Sequence, residues 1–381
     1  MKIVFICGSL EPGCDGVGDY TRRLSEHLIL YGHRVGIVAL NDFYVYKEYN
    51  ETQTDEAIEI KVLRLPSNWK QEKKGKRAKQ WIDQFNPEWL SLQYVIFSFH
   101  KKGLPIIFHK QLKIIGKGRN WHIMFHELSV GLNVEASFKE KCWGYVQLVL
   151  IRSLINVLGP KVVHTQSKLY QAYLQQYRIN AHLLPLFSNI AVSNNNENDS
   201  NIQIDLNRKG ISLVVFGAIH KTKAVKLLAK EIAEYEKNNK MKIAIHLVGR
   251  QGKESLFWIR TFQAAGVEIK SWGEQPKACI SKILLNASAG ISTTPAALVE
   301  KSGTAAAMTE HGLPVLCISD AWTPSLKKKP SLPEGITKYL QGVIETFLST
   351  PKHEPKPLRI SEISKQLINT LSNAQRKLPF R

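Results

Sequence analysis

Apolar runs of strand length alternate with helix-length amphipathic stretches along nearly the whole chain. That alternation confines it to folds in which a mostly parallel sheet is covered by helices on both faces. Residues 3–7 read as a strand, about 20–31 as a helix and 35–40 as a second strand, with Gly32 where a left-handed residue closes a helix. Residues 89–94, 122–126 and 161–166 read as further strands of the same sheet. A fresh series then begins: strand 213–216, helix 224–235, strands 243–248 and 267–269, helix 277–286, strand 290–293, a helix from Thr304 and strand 314–318. Between the two series, about 193–201, lies an Asn-, Ser- and Asp-rich tract without apolar residues. The expected organisation is a first Rossmann-like domain over 1–191, a linker over 192–209 and a second Rossmann-like domain over 210–355. A closing helix within 356–381, with Ile360, Ile363, Leu367 and Leu371 at helical spacing, is expected to return to the first domain.

The length of 381 residues suits two cores better than one. With 44% hydrophobic and 22% charged residues, the chain has the composition of a globular protein, not a fibrous or disordered one. Five scattered cysteines without a zinc-ligand pattern read as reduced, mostly buried thiols. The apolar start is too short for a signal peptide, which points to a cytoplasmic protein. The apolar stretch 143–158 falls short of a membrane span and reads as a buried helix. A net charge of +20 draws the molecule to polyanions. The basic residues crowd at Lys70, Lys73, Lys74, Lys76, Arg77 and Lys79, beside Trp69 and Trp81, and again from Lys101 to Arg119. That density reads either as a solvated face or as a surface for anionic membrane at the inner leaflet.

Ligands of doubly wound sheets sit beyond the carboxyl ends of the strands, so four loops carry the information. The loop after the first strand holds Gly16 and Gly18, whose backbone permits close approach of an anion or sugar. A nicotinamide-dependent oxidoreductase stays open on Gly16-x-Gly18 and Asp42, although Thr21 stands where the dinucleotide fingerprint has its third glycine. The strand 122–126 ends in His126, which is either a satisfied structural histidine or a functional one. Gly217 with Lys223, and Gly249 with Arg250, place a glycine and a cation after two successive strands, a sensible clamp for a diphosphate. Last, Glu300, Lys301, Ser302, Gly303 and Thr304 precede and open a small-residue helix. Its free N–H groups and positive dipole end suit pyrophosphate, and Glu300 suits sugar hydroxyls. Ser302 as a mere helix cap is the bland alternative.

In this order the loops resemble those of the retaining GT-B glycosyltransferases of family four, the glycosyl transferases group 1, over nearly the whole chain. The resemblance rests on Gly16-Val17-Gly18-Asp19-Tyr20, Phe125-His126-Glu127, Gly217 with Lys223 six residues later, Glu300-x-x-Gly303 and Gly312-x-Pro314-Val315. It implies two Rossmann-like domains facing each other across a cleft. It also implies hexosyl transfer from a nucleoside-diphosphate sugar to an acceptor hydroxyl with retention, as in polysaccharide biosynthesis. His126 would position the transferred sugar, Glu300 would hold the donor sugar, and Lys223 would bind phosphate. Two positions depart from the pattern: Ala218 stands where an arginine is usual, and Met308 where a second glutamate would bind ribose, with Glu310 two residues too far along. No Asp-x-Asp pair occurs, and neither metal nor cofactor is expected beyond the nucleotide sugar. The expected partners are that donor, a saccharide or lipid-linked acceptor and an anionic membrane surface, with no nucleic acid. A binding-only paralogue, favoured by the missing glutamate, is the remaining alternative.

Overall fold

The computed structural model describes residues 1–55, 58–193, 210–220, 222–250, 252–357 and 359–376. It divides into two compact units, the first made of Met1–Pro185, Pro324–Lys328 and Ile360–Arg381, the second of Leu186–Thr323 and Lys329–Arg359.

The first unit runs β1 (Lys2–Cys7), α1 (Gly16–Leu30), β2 (Arg34–Asp42), β3 (Tyr49–Asp55), β4 (Ile58–Pro66), α2 (Gln71–Phe85), β5 (Trp89–Tyr94), α3 (Ile96–Phe99) and α4 (Phe108–Ile115). It continues through β6 (Asn120–Phe125), α5 (Phe138–Leu158), β7 (Val162–Thr165), α6 (Lys168–Gln176) and β8 (His182–Leu183). The sheet order is β3-β4-β2-β1-β5-β6-β7-β8, parallel except for β3. β1 and β5 are buried almost end to end, as strands covered on both faces must be. β3 has no apolar periodicity; it is a polar edge strand held by its antiparallel ladder to β4, and for that reason went unread in the sequence. α1 starts at Gly16, four residues before the sequence expectation, because Asp15 caps it: the Asp15 carboxylate accepts from Val17 N at 2.9 Å and Gly18 N at 2.8 Å.

The second unit runs β9 (Gly210–Phe216), α7 (Ala224–Asn239), β10 (Lys242–Val248), α8 (Lys253–Ala264), β11 (Glu268–Gly273), α9 (Lys277–Asn286), β12 (Ala289–Ser292), α10 (Gly303–Glu310), β13 (Val315–Cys317), β14 (Ile336–Lys338) and α11 (Ile344–Leu348). Its sheet is parallel throughout, in the order β11-β10-β9-β12-β13-β14. One apolar layer joins Leu213, Ile245, Trp258 and Phe262, and the other joins Val214, Ile283, Met308 and Val315. α12 (Arg359–Arg376) belongs to the first unit and buries Ile360, Ile363, Leu367 and Leu371.

The units divide between Pro185 and Leu186, ahead of the boundary expected at 191. The cause is local: Ile190 is buried in the second core, and Ser188 N donates to Glu310 Oε1 at 2.8 Å, so the chain has already joined the second unit. Of the expected linker, 194–209 lies outside the described residues. The stretch 143–158 lies within α5, which is buried along one side only. Gly144, Gln147, Leu148 and Ile151 face inward, while Tyr145, Val146 and Val149 are exposed. The cysteines are all free; Cys7, Cys279 and Cys317 are buried, Cys14 and Cys142 exposed.

Candidate functional site

In a doubly wound sheet the crevice opens where strand order reverses, because the loops on either side lead to helices on opposite faces. In the second unit that point is between β9 and β12. The loops leaving these two strands contain Gly217 and Thr293 to Thr304, two of the stretches singled out from sequence. They are tied together, with Thr293 Oγ1 donating to the Ala218 carbonyl at 3.0 Å. Gly217 has φ +85°, and a Cβ there would overlap the Thr304 Cγ2 methyl. Glycine is thus required at β9's end both by backbone and by the approach of the α10 helix start.

Ser302 caps α10, its Oγ accepting from Ala305 N at 3.3 Å and lying 3.0 Å from Thr304 Oγ1. The N–H groups of Gly303 and Thr304 make no hydrogen bond among the described residues, and Gly303 is exposed. The cap therefore consumes one donor and leaves two at the positive end of the helix. Glu300 and Lys301, both half-buried, lie in the 3-10 turn Ala296–Lys301 that leads into Ser302. Lys223 is exposed at the N-terminus of α7, which lacks a side-chain cap. Gly249 closes on Gly217 after β10, and the exposed Arg250 beside it pairs with Glu274 at 2.8 Å. An exposed pair of this kind contributes at most ~1 kcal/mol.

The first unit holds the other three predicted residues. Gly16 and Gly18 form the first turn of α1, where the amides of Val17 and Gly18 are taken by Asp15. Gly18 is required sterically, since a Cβ would stand 2.8 Å from the Ser9 carbonyl oxygen, whereas Gly16 faces open space. His126 follows β6 and is buried, with Tyr20 edge-on at 5.0 Å. Gln166 Nε2 donates to its Nδ1 at 2.7 Å, which makes Nε2 the protonated nitrogen and the donor to Gln93 Oε1 at 2.8 Å. The network continues through Gln93 Nε2 to Ser91 Oγ, to His122 and on to His164. Burial pushes His126 down to about 3, so the ring is neutral. Both its nitrogens are satisfied by the protein. Gln93 and Gln166 were not picked out from sequence; they reach His126 only through the β5-β6-β7 pairing, and the signal available was Gln166's place at a strand end.

Several charged groups have settled structural roles. Asp42 is fully buried and accepts from Arg64 Nε at 2.7 Å, Leu10 N at 3.0 Å, Tyr44 N at 3.0 Å and Ser9 Oγ at 3.2 Å. It has no oxygen left for a ribose, which removes one of the two features that kept a dinucleotide open. Met308 is buried under Gly290, and Glu310 is bound to Ser188 N, so neither supplies a second carboxylate at the α10 helix start. Lys74 is buried too, donating to Asn41 Oδ1 at 2.7 Å, and burial pushes it down to about 8; it does not belong to the basic surface. Among the described residues no three His, Cys, Asp or Glu side chains gather as a metal site requires. A cavity of about 560 Å³ lies elsewhere, between β7, β8 and α12, lined by His164, His182, Gln366 and Thr370 and by none of the predicted residues.

Two doubly wound α/β units with this strand order define the GT-B fold. Solved structures of that fold match the chain from end to end. Anabaena HepE in complex with UDP superimposes with a TM-score of 0.57 at 13% identity, covering 98% of this chain and 100% of its own. UDP-GlcNAc 2-epimerase from Neisseria meningitidis bound to UDP-GlcNAc gives 0.55 at 12% identity, covering 98% and 100%. WaaG, a glycosyltransferase involved in lipopolysaccharide biosynthesis, gives 0.53 at 12% identity, covering 98% of each chain. No protein-family model matches the chain, and no curated protein matches it either.

Proposed function

We propose that the protein is a glycosyltransferase that moves a hexose from a UDP-sugar to an acceptor hydroxyl, with retention of configuration. The observation that carries this reading is the switch point of the second unit, where two free helix N–H groups, a Cβ-less approach at Gly217 and the exposed cation Lys223 occupy the loops after neighbouring strands. Breaking the glycosidic bond moves negative charge onto the diphosphate. Preorganised N–H groups and cations stabilise that charge as it develops, at no reorganisation cost. Lys223, Arg250, Lys301 and the Ser302–Thr304 turn take this role without a metal, and Glu300 holds the donor sugar. The ligands of HepE, which include UDP together with glucose, support the choice of nucleotide.

The acceptor, a saccharide or a lipid-linked one, is assigned to the first unit. His126 is the candidate contact of the transferred sugar, which requires Gln166 to give up its 2.7 Å hydrogen bond. Free cysteines fit a cytoplasmic protein. The buried Met308 favours a second reading, a protein that binds the nucleotide sugar without turnover. Incubation with UDP-hexoses, with and without glycan acceptors, separates the cases. UDP release coupled to glycoside formation supports the transferase, and conversion of the sugar without acceptor indicates an epimerase. Binding without either change leaves the binding-only protein, and no UDP binding at all refutes every UDP-sugar reading.

A further inference from the structure

One chain of hydrogen bonds in the first unit has a fixed direction and ends without an acceptor. Gln93 Nε2 donates to Ser91 Oγ at 2.8 Å, and among the described residues the acceptor within reach of the Ser91 hydroxyl proton is His122 Nδ1, also at 2.8 Å. Burial holds His122 neutral, so with Nδ1 accepting, its proton sits on Nε2. That N–H donates to His164 Nδ1 at 3.0 Å. Burial pushes His164 down to about 3, so its ring is neutral too and carries its proton on Nε2. His164 is 0% exposed, and among the described residues its Nε2 meets no acceptor. A buried donor without a partner is costly and uncommon.

The His164 ring lies on the floor of the cavity of about 560 Å³ between β7, β8 and α12. Its Nδ1 is turned to β6, so Nε2 points the other way, towards β8, where His182 stands beside it with ring centroids 6.1 Å apart. The rim carries Lys161, His182 and Asn373, all exposed, while Gln366 Nε2 ties α12 to the Leu183 carbonyl at 2.7 Å. Among the described residues no carboxylate lines the cavity. A wall that offers N–H donors and an ammonium but no anion is the electrostatic complement of an oxyanion. A neutral sugar would make no use of Lys161, and a cation would meet its own sign. The volume falls within the ~300–1,000 Å³ of small-molecule sites, so there is room for more than the charged group. Solvent does not touch Nε2 in the closed arrangement; an acceptor reaches it as the exposed rim side chains change rotamer.

We propose that this cavity binds a small oxyanion, a phosphate or carboxylate group free or carried on a metabolite, held by His164 Nε2–H and Lys161. The site belongs wholly to the first unit and does not rest on the transferase reading. The test follows the His164 ring by nitrogen NMR of the full chain, labelled at histidine, at neutral pH, while sodium acetate, sodium phosphate or glycerol phosphate is added. Before addition the ring should be the Nε2–H tautomer. With at least one of the three probes its Nε2 resonance should shift saturably by about 10 mM, where a site of about 1 mM affinity is mostly filled. Lys161→Ala should weaken that binding about tenfold, the scale of one charge-assisted hydrogen bond, with thermal unfolding unchanged because the side chain is exposed. Tighter binding of glycerol phosphate than of phosphate identifies a carried group, and equal affinity the free ion. The Nδ1–H tautomer, the lack of a saturable shift with all three probes, or full affinity in Lys161→Ala overturns the proposal. No residue of the second unit lines the cavity, so that failure leaves the transferase reading standing, and loss of UDP binding leaves the His164 result standing.

Discussion

Replacing Gly217 by alanine tests the packing at the β9–β12 switch point most directly. Two costs arise. The backbone there has φ +85°, a left-handed region that costs an L-residue about 1–2 kcal/mol. The new methyl also overlaps Thr304 Cγ2, although Thr304 Cβ stands 3.4 Å away, so the clash is with that methyl and not the helix backbone. Overpacking of this kind costs about 1–3 kcal/mol. Gly217→Ala should therefore destabilise the second unit by about 2–5 kcal/mol, a large share of the ~5–15 kcal/mol typical of a folded domain. Thr304→Ser removes the obstructing methyl and keeps the hydroxyl 3.0 Å from Ser302 Oγ. In the double variant only the backbone strain should remain, so the relieved overpacking appears as a favourable coupling energy of about 1–3 kcal/mol in a double-mutant cycle. Urea unfolding followed by circular dichroism measures it, and calorimetry with UDP should show affinity lost in Gly217→Ala and partly restored in the double variant. Strictly additive energies, or a neutral Gly217→Ala, would refute the close approach of the α10 helix start to β9.

Lys223→Ala should weaken UDP binding about tenfold, the scale of one charge-assisted hydrogen bond, with thermal stability unchanged because the side chain is exposed; equal affinity by calorimetry would move the diphosphate elsewhere. Asp42→Asn should destabilise the first unit by about 1–3 kcal/mol, since Glu11 alone then remains as a carboxylate partner of the buried Arg64 guanidinium, and chemical denaturation reads that loss. Burial lowers His126 and His164 from 6.5 to about 3, so the unfolded chain binds more protons than the folded one between those values. Stability should then be full above about pH 6.5 and fall on acidification towards pH 3. The slope is ~1.4 kcal/mol per pH unit for each histidine, and a flat acid limb in denaturation at a series of pH values would contradict their burial as neutral rings.

Much of the architecture was legible in the sequence because its causes are local. Apolar periodicity marks β1, β5 and α9, Gly32 at φ +78° closes the turn after α1, and Gly217 announces a backbone that other residues resist. Even the α10 helix start was legible, since Ser-Gly ahead of small helix-forming residues is a statement about neighbours in the chain. What escaped depends on residues brought together from far apart. The polar strand β3 exists only through its ladder to β4. Gln93 and Gln166 bracket His126 only once β5, β6 and β7 are aligned. Asp42 looked like a ribose ligand until Arg64, from the neighbouring strand, neutralised it. The apolar stretch of α5 could be read as buried from composition, yet only packing decides which sides of a helix are covered, and here one side stays open. Periodicity and backbone preference are properties of a few consecutive residues, whereas partnership and burial are set by strand order, and strand order is decided by the folded chain as a whole.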